Sequence, residues 1–373
     1  MCDERLAVHA DRVADAQSPV IPVGAPAARG GRVGRHSDGR LDDSRTPDHP
    51  RKRRRRGALD SGDRPRSTRW SGAPFRAASG QRAHRKASAH TARTSFLTIL
   101  QPRTLDDALA ARAQRPDALV VAGGTGVLVD LNGGLEPPAL LDLSRVAELR
   151  DCTETRDGGA LRLGAGTTYT DVLERHADVL PGLAAAARTV ASRQVRNRAT
   201  IAGALVLGDP SSDALAALGA AVAAVEVAGP HGIRHIPAEA FVTGPGTCDL
   251  GADELVTALI VPKADGPTAY AKAGARNAMA RAVCGVAIEL HPLARTVTAC
   301  VVGAAPIAIR PRTAEALVAD AWDDLDDRVL RRFGELVAEA VDPLPDARGS
   351  AAYRRHVAGV LATRVLDRVW DAR

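Results

Sequence analysis

The stretch VVAGGTGVLVDLNGG, Val120 to Gly134, decides how the chain is read. Two β-branched residues run into Ala122-Gly123-Gly124-Thr125-Gly126, which predicts a short buried strand over Ala118–Ala122 feeding a tight turn. Adjacent glycines let a backbone bend sharply and approach another group with no Cβ in between. A second small-residue segment, Thr200-Ile201-Ala202-Gly203-Ala204, reads as another loop behind a packed element. Loops of this kind offer backbone N–H groups to a phosphate, and two of them in one domain would grip a diphosphate between them. A tight structural turn accounts for either loop taken alone equally well.

Working outward, order is expected from about Ser95. Phe96–Leu100 reads as a strand, and Thr104-Leu105-Asp106-Asp107 opens a helix running to about Ala113. Further strands are expected at Ala139–Leu143 and Ala160–Gly164. Helices are expected from Thr168 to Val179 and from Pro181 to Ser192. Gln194–Ala220 reads as a loop followed by an Ala/Leu helix behind Ser211, Ser212 and Asp213. Val222–Val227 and Ile233–Ile236 form a hairpin pattern, and Leu255–Val261 is a strand ended by Pro262. Lys263–Pro267 reads as a linker. Beyond it lie three strands, Tyr270–Ala273, Val283–Leu290 and Val297–Val302, then three helices, Thr313–Ala321, Arg328–Val341 and Tyr353–Trp370. That order predicts a small α+β domain.

Charge separates the chain into two regimes. Residues 1–94 carry 21 Lys/Arg against 10 Asp/Glu, while the remainder of the 373 residues carries 29 against 34. The basic balance therefore belongs to the first quarter, which has no sustained apolar period and is expected to be a disordered extension. Its run Arg51–Arg56 reads either as a nucleic-acid tail or as an extension without a role. The mildly acidic remainder argues against a nucleic-acid-binding core. No apolar run reaches the length of a membrane span. Five scattered cysteines, Cys2, Cys152, Cys248, Cys284 and Cys300, include no C-x-x-C pair, so neither a zinc site nor an iron–sulfur cluster is signalled, and a reducing cytoplasmic location is expected. His231 and His235 lie in the expected hairpin and are not read as a metal site. Phosphate-loop, Rossmann, nucleophile-elbow and zinc-protease motifs are missing, and no catalytic constellation stands out.

From about Phe96 to Arg368 the chain resembles the FAD-carrying medium subunits of the molybdenum hydroxylases, the group of xanthine dehydrogenase and carbon monoxide dehydrogenase. The resemblance is carried by FLTILQPRTLDDALA, AGGTGVLVDLNGG, LLDLSRVAEL, LRLGAGTTYTDVL, QVRNRATIAGALVLGDPSSDALAALGA, ELVTALIVP, YAKAGARNAMARAVCGVAIEL and VVGAAPIAIRPRTAEALV, in that order. It implies an α+β fold: a vanillyl-alcohol-oxidase-type (PCMH) FAD-binding domain over 95–264, then a CO dehydrogenase flavoprotein-like C-terminal domain over 268–371, preceded by the extension 1–94. It also implies FAD contacts at Val121, Ala122, Gly123, Gly124, Thr125, Gly126, Val127 and Leu128, at Thr200, Ile201, Ala202, Gly203 and Ala204, and at Asp213, Val256 and Lys272. Read without the resemblance, Asp213 is a helix cap and Lys272 a surface lysine. The implied role is electron transfer from the [2Fe–2S] clusters of a small partner subunit to an external acceptor such as NAD or a quinone. A large partner subunit would carry the molybdenum cofactor and oxidise the substrate.

Two rival readings are a stand-alone FAD oxidoreductase and a cofactor-poor scaffold paralogue. The second loop departs from the family's G-T-I-G-G-N, reading Ala199-Thr200-Ile201-Ala202-Gly203-Ala204. If Ala199 or Ala202 occupies a backbone conformation with positive φ, it costs about 1 kcal/mol or more. Replacing the asparagine by Ala204 removes a side-chain hydrogen bond worth roughly 0.5–1.5 kcal/mol.

The extension has no apolar face with which to join a core. Deleting residues 1–90 is expected to leave the melting temperature and the flavin content of the purified protein unchanged, and a marked fall in either would show that this segment packs on the rest.

Overall fold

The computed structural model describes residues 97–276 and 279–373. The expectations for the extension 1–94, its arginine run and Phe96 lie outside the described residues.

A small parallel sheet of three strands comes first, ordered Thr98–Leu100, Ala139–Asp142, Leu119–Val121. The helix Leu105–Gln114 follows its first strand, with the Thr104 hydroxyl accepting from the Asp107 amide at 3.1 Å. A five-stranded antiparallel sheet follows, ordered Cys152–Glu154, Ala160–Gly164, Leu255–Pro262, Ala224–Gly229, Gly232–Pro237. Its central strand carries a bulge, because Val256 pairs with Val227 and Ala258 with Glu226, leaving Thr257 extra. The hairpin and strand expectations hold here; Cys152–Glu154 is too short and polar to be read from sequence.

The C-terminal sheet, Thr268–Gly274, Ala282–His291 and Thr296–Val302, is antiparallel and covered on both faces. Period-2 alternation divides its side chains. Cys284, Val286, Ile288 and Leu290 pack in the core formed with the helices Arg312–Asp320, Asp327–Ala340 and Ala351–Asp371. Tyr270, Ala287, Cys300 and Val302 belong instead to the first core, against the helix Asp213–Ala220, every residue of which is buried. That helix is apolar all round because it is enclosed all round. Burial also pushes the Cys284 and Cys300 thiols up to about 12, so both are inert packing residues.

Several expectations are corrected. The helix opened by Thr168 ends at Arg175, not Val179. The helix at Pro181 ends at Thr189, because Ala191 takes a φ of 40° and Ser192 caps a new turn, Arg193–Arg196. Val127–Asn132 is a short helix, and Ile201–Val206 is a helix where a loop was expected. The Gly203 and Gly208 signals suggested a loop, but the Thr200 hydroxyl accepts from the Gly203 amide at 3.0 Å and starts the helix.

The last helix is tied to the sheet by Arg354, only 4% exposed. Its Nη1 donates to the carbonyls of Val283 at 2.6 Å and Gly303 at 2.5 Å, and its Nη2 donates to Asp346. Asp346 is exposed and keeps Arg348 as a partner, so the larger loss on removing Arg354 is the pair of carbonyls left without their donor. Arg354→Ala is expected to lower unfolding free energy by about 1–3 kcal/mol in denaturant titration, and a loss under about 0.5 kcal/mol would show that these contacts add no net stability.

Candidate functional site

The glycine turn approaches the other small-residue segment. A Cβ built at Gly123 would lie 2.0 Å from the Arg198 carbonyl oxygen and 3.1 Å from the Ala199 α-carbon. No side chain fits there, so the two segments meet backbone to backbone. Gly124 takes a φ of +76°, which turns the chain into the helix Val127–Asn132. On the other side, Thr200 bridges Thr168, with the Ile201 amide donating to the Thr167 carbonyl at 3.0 Å and the Tyr169 amide to the Ala199 carbonyl at 3.1 Å. The second segment is thereby held between the first loop and the start of the helix Tyr169–Arg175.

Ala202 sits inside a helix, and its φ is not positive. The strain considered for this alanine is therefore not incurred; alanine is a better helix former than glycine. Ala202 is 3% exposed, and Ala204 is half-buried, its methyl group supplying none of an asparagine's polar atoms.

Both segments line one cavity of about 1300 Å³. Its wall includes Ala122, Gly123, Gly124, Thr125, Gly126 and Val127 from the first segment and Thr200, Ala202, Gly203 and Ala204 from the second. Val256, turned by the bulge, lines it from the five-stranded sheet. Val121, Leu128 and Ile201 flank the wall without lining it; Ile201 is fully buried and Leu128 is exposed. Among the described residues, the amides of Gly123, Gly124, Thr125, Gly126 and Ala202 have no hydrogen-bond acceptor. Unpaired backbone donors gathered on a cavity call for an external acceptor, and an anion suits them.

Arg112 and His176 line the same cavity, and each has a buried ring or guanidinium nitrogen, Nε and Nε2, without a partner. Burial, with the Arg175 charge adding to it, holds His176 below the usual histidine range, so its ring is neutral near pH 7. Neither residue was singled out from the sequence, where an isolated Arg and His carry no pattern. Arg193 and Asn197 also line the cavity; Asn197 lies within the family-like block QVRNRATIAG and Arg193 directly before it. The donor set, orphaned polar atoms and space together fit a diphosphate-bearing ligand such as FAD.

Asp213 and Lys272 meet each other but do not line this cavity. Lys272 Nζ donates to Asp213 Oδ2 at 2.5 Å and to the Thr189 carbonyl at 3.1 Å. The Tyr270 hydroxyl donates to Asp213 Oδ1 at 2.5 Å. Burial, with the Asp213 charge adding to it, pushes the Tyr270 phenol well above its ordinary value, so it stays a donor. Lys272 and Thr189 line a separate crevice of about 960 Å³ with Arg188, Arg193 and Arg196; Arg193 lines both spaces.

The FAD binding domain in molybdopterin dehydrogenase matches residues 93–264, and the CO dehydrogenase flavoprotein C-terminal domain matches residues 269–369. The putative xanthine dehydrogenase FAD-binding subunit of Escherichia coli (strain K12) is 33% identical over 290 residues, covering 73% of this chain and 95% of the relative. A carbon monoxide dehydrogenase structure from Hydrogenophaga pseudoflava, lacking the Mo-pyranopterin moiety, superimposes with a TM-score of 0.69 at 29% identity, over 74% of this chain and 98% of that one. The reconstituted CO dehydrogenase from Oligotropha carboxidovorans superimposes with a TM-score of 0.70 at 25% identity, over 75% and 99%.

Gly123 supplies the sharpest test of this geometry. Gly123→Ala is expected to push the two segments apart, lowering stability by about 1–3 kcal/mol and abolishing flavin retention through purification. Gly159→Ala, whose Cβ would meet nothing closer than 3.6 Å, is the control and should retain flavin. A flavin-replete Gly123→Ala protein would show that the close approach is dispensable.

Proposed function

The chain belongs to the FAD-binding medium subunits of the xanthine dehydrogenase and carbon monoxide dehydrogenase type of molybdenum hydroxylase, and from that premise we propose that it is the electron-transferring flavoprotein of such a complex. In this reading it takes electrons from [2Fe–2S] clusters on a small partner subunit and delivers them to an external acceptor, while a large partner subunit carries the molybdenum cofactor. We assign the FAD-binding unit to residues 95–264 and the smaller unit to 268–371. FAD, when bound, supplies redox chemistry that joins one-electron to two-electron carriers.

The observation that carries the reading is the set of unpaired amides from two segments facing one cavity. Gly123–Gly126 and Ala202 would donate to the diphosphate, and Val256 would close an apolar wall against the cofactor. Asp213 and Lys272 would act where the two units meet, beside the crevice. Arg188, Arg193 and Arg196 make that crevice basic, which favours a phosphate-bearing acceptor such as NAD over a neutral quinone. The four described cysteines are all free, which suits a reducing compartment such as the cytoplasm. Among the described residues no helix is long and apolar enough to cross a membrane.

The test is purification from the native host through a C-terminal tag, with metal analysis and release of flavin by denaturation. The expected result is one FAD per chain, freed without covalent attachment, with iron and molybdenum at stoichiometric levels from co-purifying subunits. A lone chain with flavin but no metal would favour the stand-alone oxidoreductase. A chain that shows no flavin spectrum after reconstitution with excess FAD would leave the scaffold reading.

A further inference from the structure

Glu289 lies in the strand Ala282–His291, on the sheet face shared with Ala287, and is 5% exposed. Among the described residues its carboxyl group makes no hydrogen bond or ion pair. A buried carboxylate without compensation is costly, and natural structures rarely keep one. Two further groups stand beside it. His291 is two residues along the same strand and therefore on the same face. Asp265 comes from the segment that joins the two packed units, where the Leu290 amide donates to the Pro267 carbonyl at 2.9 Å. One ligand atom from each of Asp265, Glu289 and His291 lies within 4.8 Å of the others.

The hydrogen bonds around His291 fix its proton. The Thr298 hydroxyl donates its only hydrogen to the Ala220 carbonyl. Thr298 Oγ1, 3.0 Å from His291 Nε2, must therefore accept from an Nε2–H. In the neutral ring, Nδ1 then turns a lone pair toward Asp265 Oδ1, 2.8 Å away. Two lone pairs at that distance repel unless something positive sits between them. A proton on Nδ1 would relieve that contact, but it leaves Glu289 without a partner. A divalent cation answers all three groups at once.

We propose that Asp265, Glu289 and His291 form a site for one divalent cation of the zinc class, which clips the joining segment to the C-terminal sheet. The ligand set selects the ion: an imidazole with two carboxylates suits zinc, whereas magnesium and calcium take oxygen donors. Zinc–ligand bonds of about 2.0–2.2 Å place ligands on one ion roughly 3–3.5 Å apart, so the Asp265–His291 separation is already close to that demand. Asp265, the most exposed of the three, is free to close the remaining distance. Thr298 is the outer partner that orients the imidazole, and through Ala220 it links the site to the helix Asp213–Ala220. The inference does not depend on flavin binding.

The experiment uses the full-length chain, stripped with a chelator and kept under a non-thiol reductant. Zinc chloride is titrated by calorimetry, and melting is followed with and without zinc. Wild type is expected to bind one zinc per chain at a saturable site and to melt higher in its presence. Glu289→Gln and Asp265→Asn should each weaken binding at least about tenfold and lose the zinc-dependent rise. Zinc-free Glu289→Gln should melt no lower than wild type, since it removes a buried charge, which separates lost binding from lost folding. The absence of saturable binding in wild type, or binding undiminished in both variants because zinc sits on cysteines or other histidines, would overturn the proposal.

Discussion

The contact between the Gly123 α-carbon and the Arg198 carbonyl is the constraint from which the site follows. Only a residue without a Cβ admits a backbone carbonyl that close. Once the two segments touch there, the first cannot fold back to satisfy its own amides, and the second is pinned from behind by its bridge to Thr168. The helix Ile201–Val206 begins at this pinned point, with the Thr200 hydroxyl as its cap. What remains is a wall of backbone donors, stiff because backbone packs on backbone, around a cavity large enough for a cofactor. Rigidity of this sort holds a charged ligand without the entropy that long side chains would lose on binding it.

A second constraint joins the flavin-binding half to the C-terminal half. Asp213, at the start of an entirely buried helix, accepts hydrogen bonds from Tyr270 and Lys272. Burying an ammonium and a carboxylate together is costly, and the direct pair offsets it only because the Tyr270 hydroxyl donates to the other carboxylate oxygen and the Thr189 carbonyl accepts from the ammonium. Such a cluster is orientation-specific in a way that the surrounding alanine and leucine packing is not. It fixes how the C-terminal sheet meets the helix Asp213–Ala220, and so where Lys272 and the basic crevice stand beside the cavity. The cavity and the crevice are thereby held in one frame.

Much of this architecture is local and was legible in residue order. The glycine turn announces itself because adjacent glycines are costly anywhere they are not needed. The C-terminal strands are legible because a sheet covered on both faces reads as continuous apolar sequence, and the capping residues Thr104, Thr168 and Ser212 mark helix starts through hydrogen bonds spanning three residues. The helix Ile201–Val206 was misread because glycines weigh against helix locally, while its cap and its tertiary neighbours decide otherwise. The short helix Val127–Asn132 and the strand Cys152–Glu154 are too brief for a period to show. By itself, then, the sequence determined the elements, their order, the glycine turn and the resemblance to flavin-carrying subunits, since these depend on steric freedom and periodicity over a few neighbours. Only the tertiary structure decided that Gly123 abuts Arg198, that Asp213 receives Lys272 from 59 residues away, that Arg112 and His176 turn unpartnered nitrogens into the cavity wall, and that Asp265, Glu289 and His291 converge. Each of those meetings joins residues whose separation along the chain carries no pattern, because it is set by how sheets and helices pack and not by any local preference of the backbone.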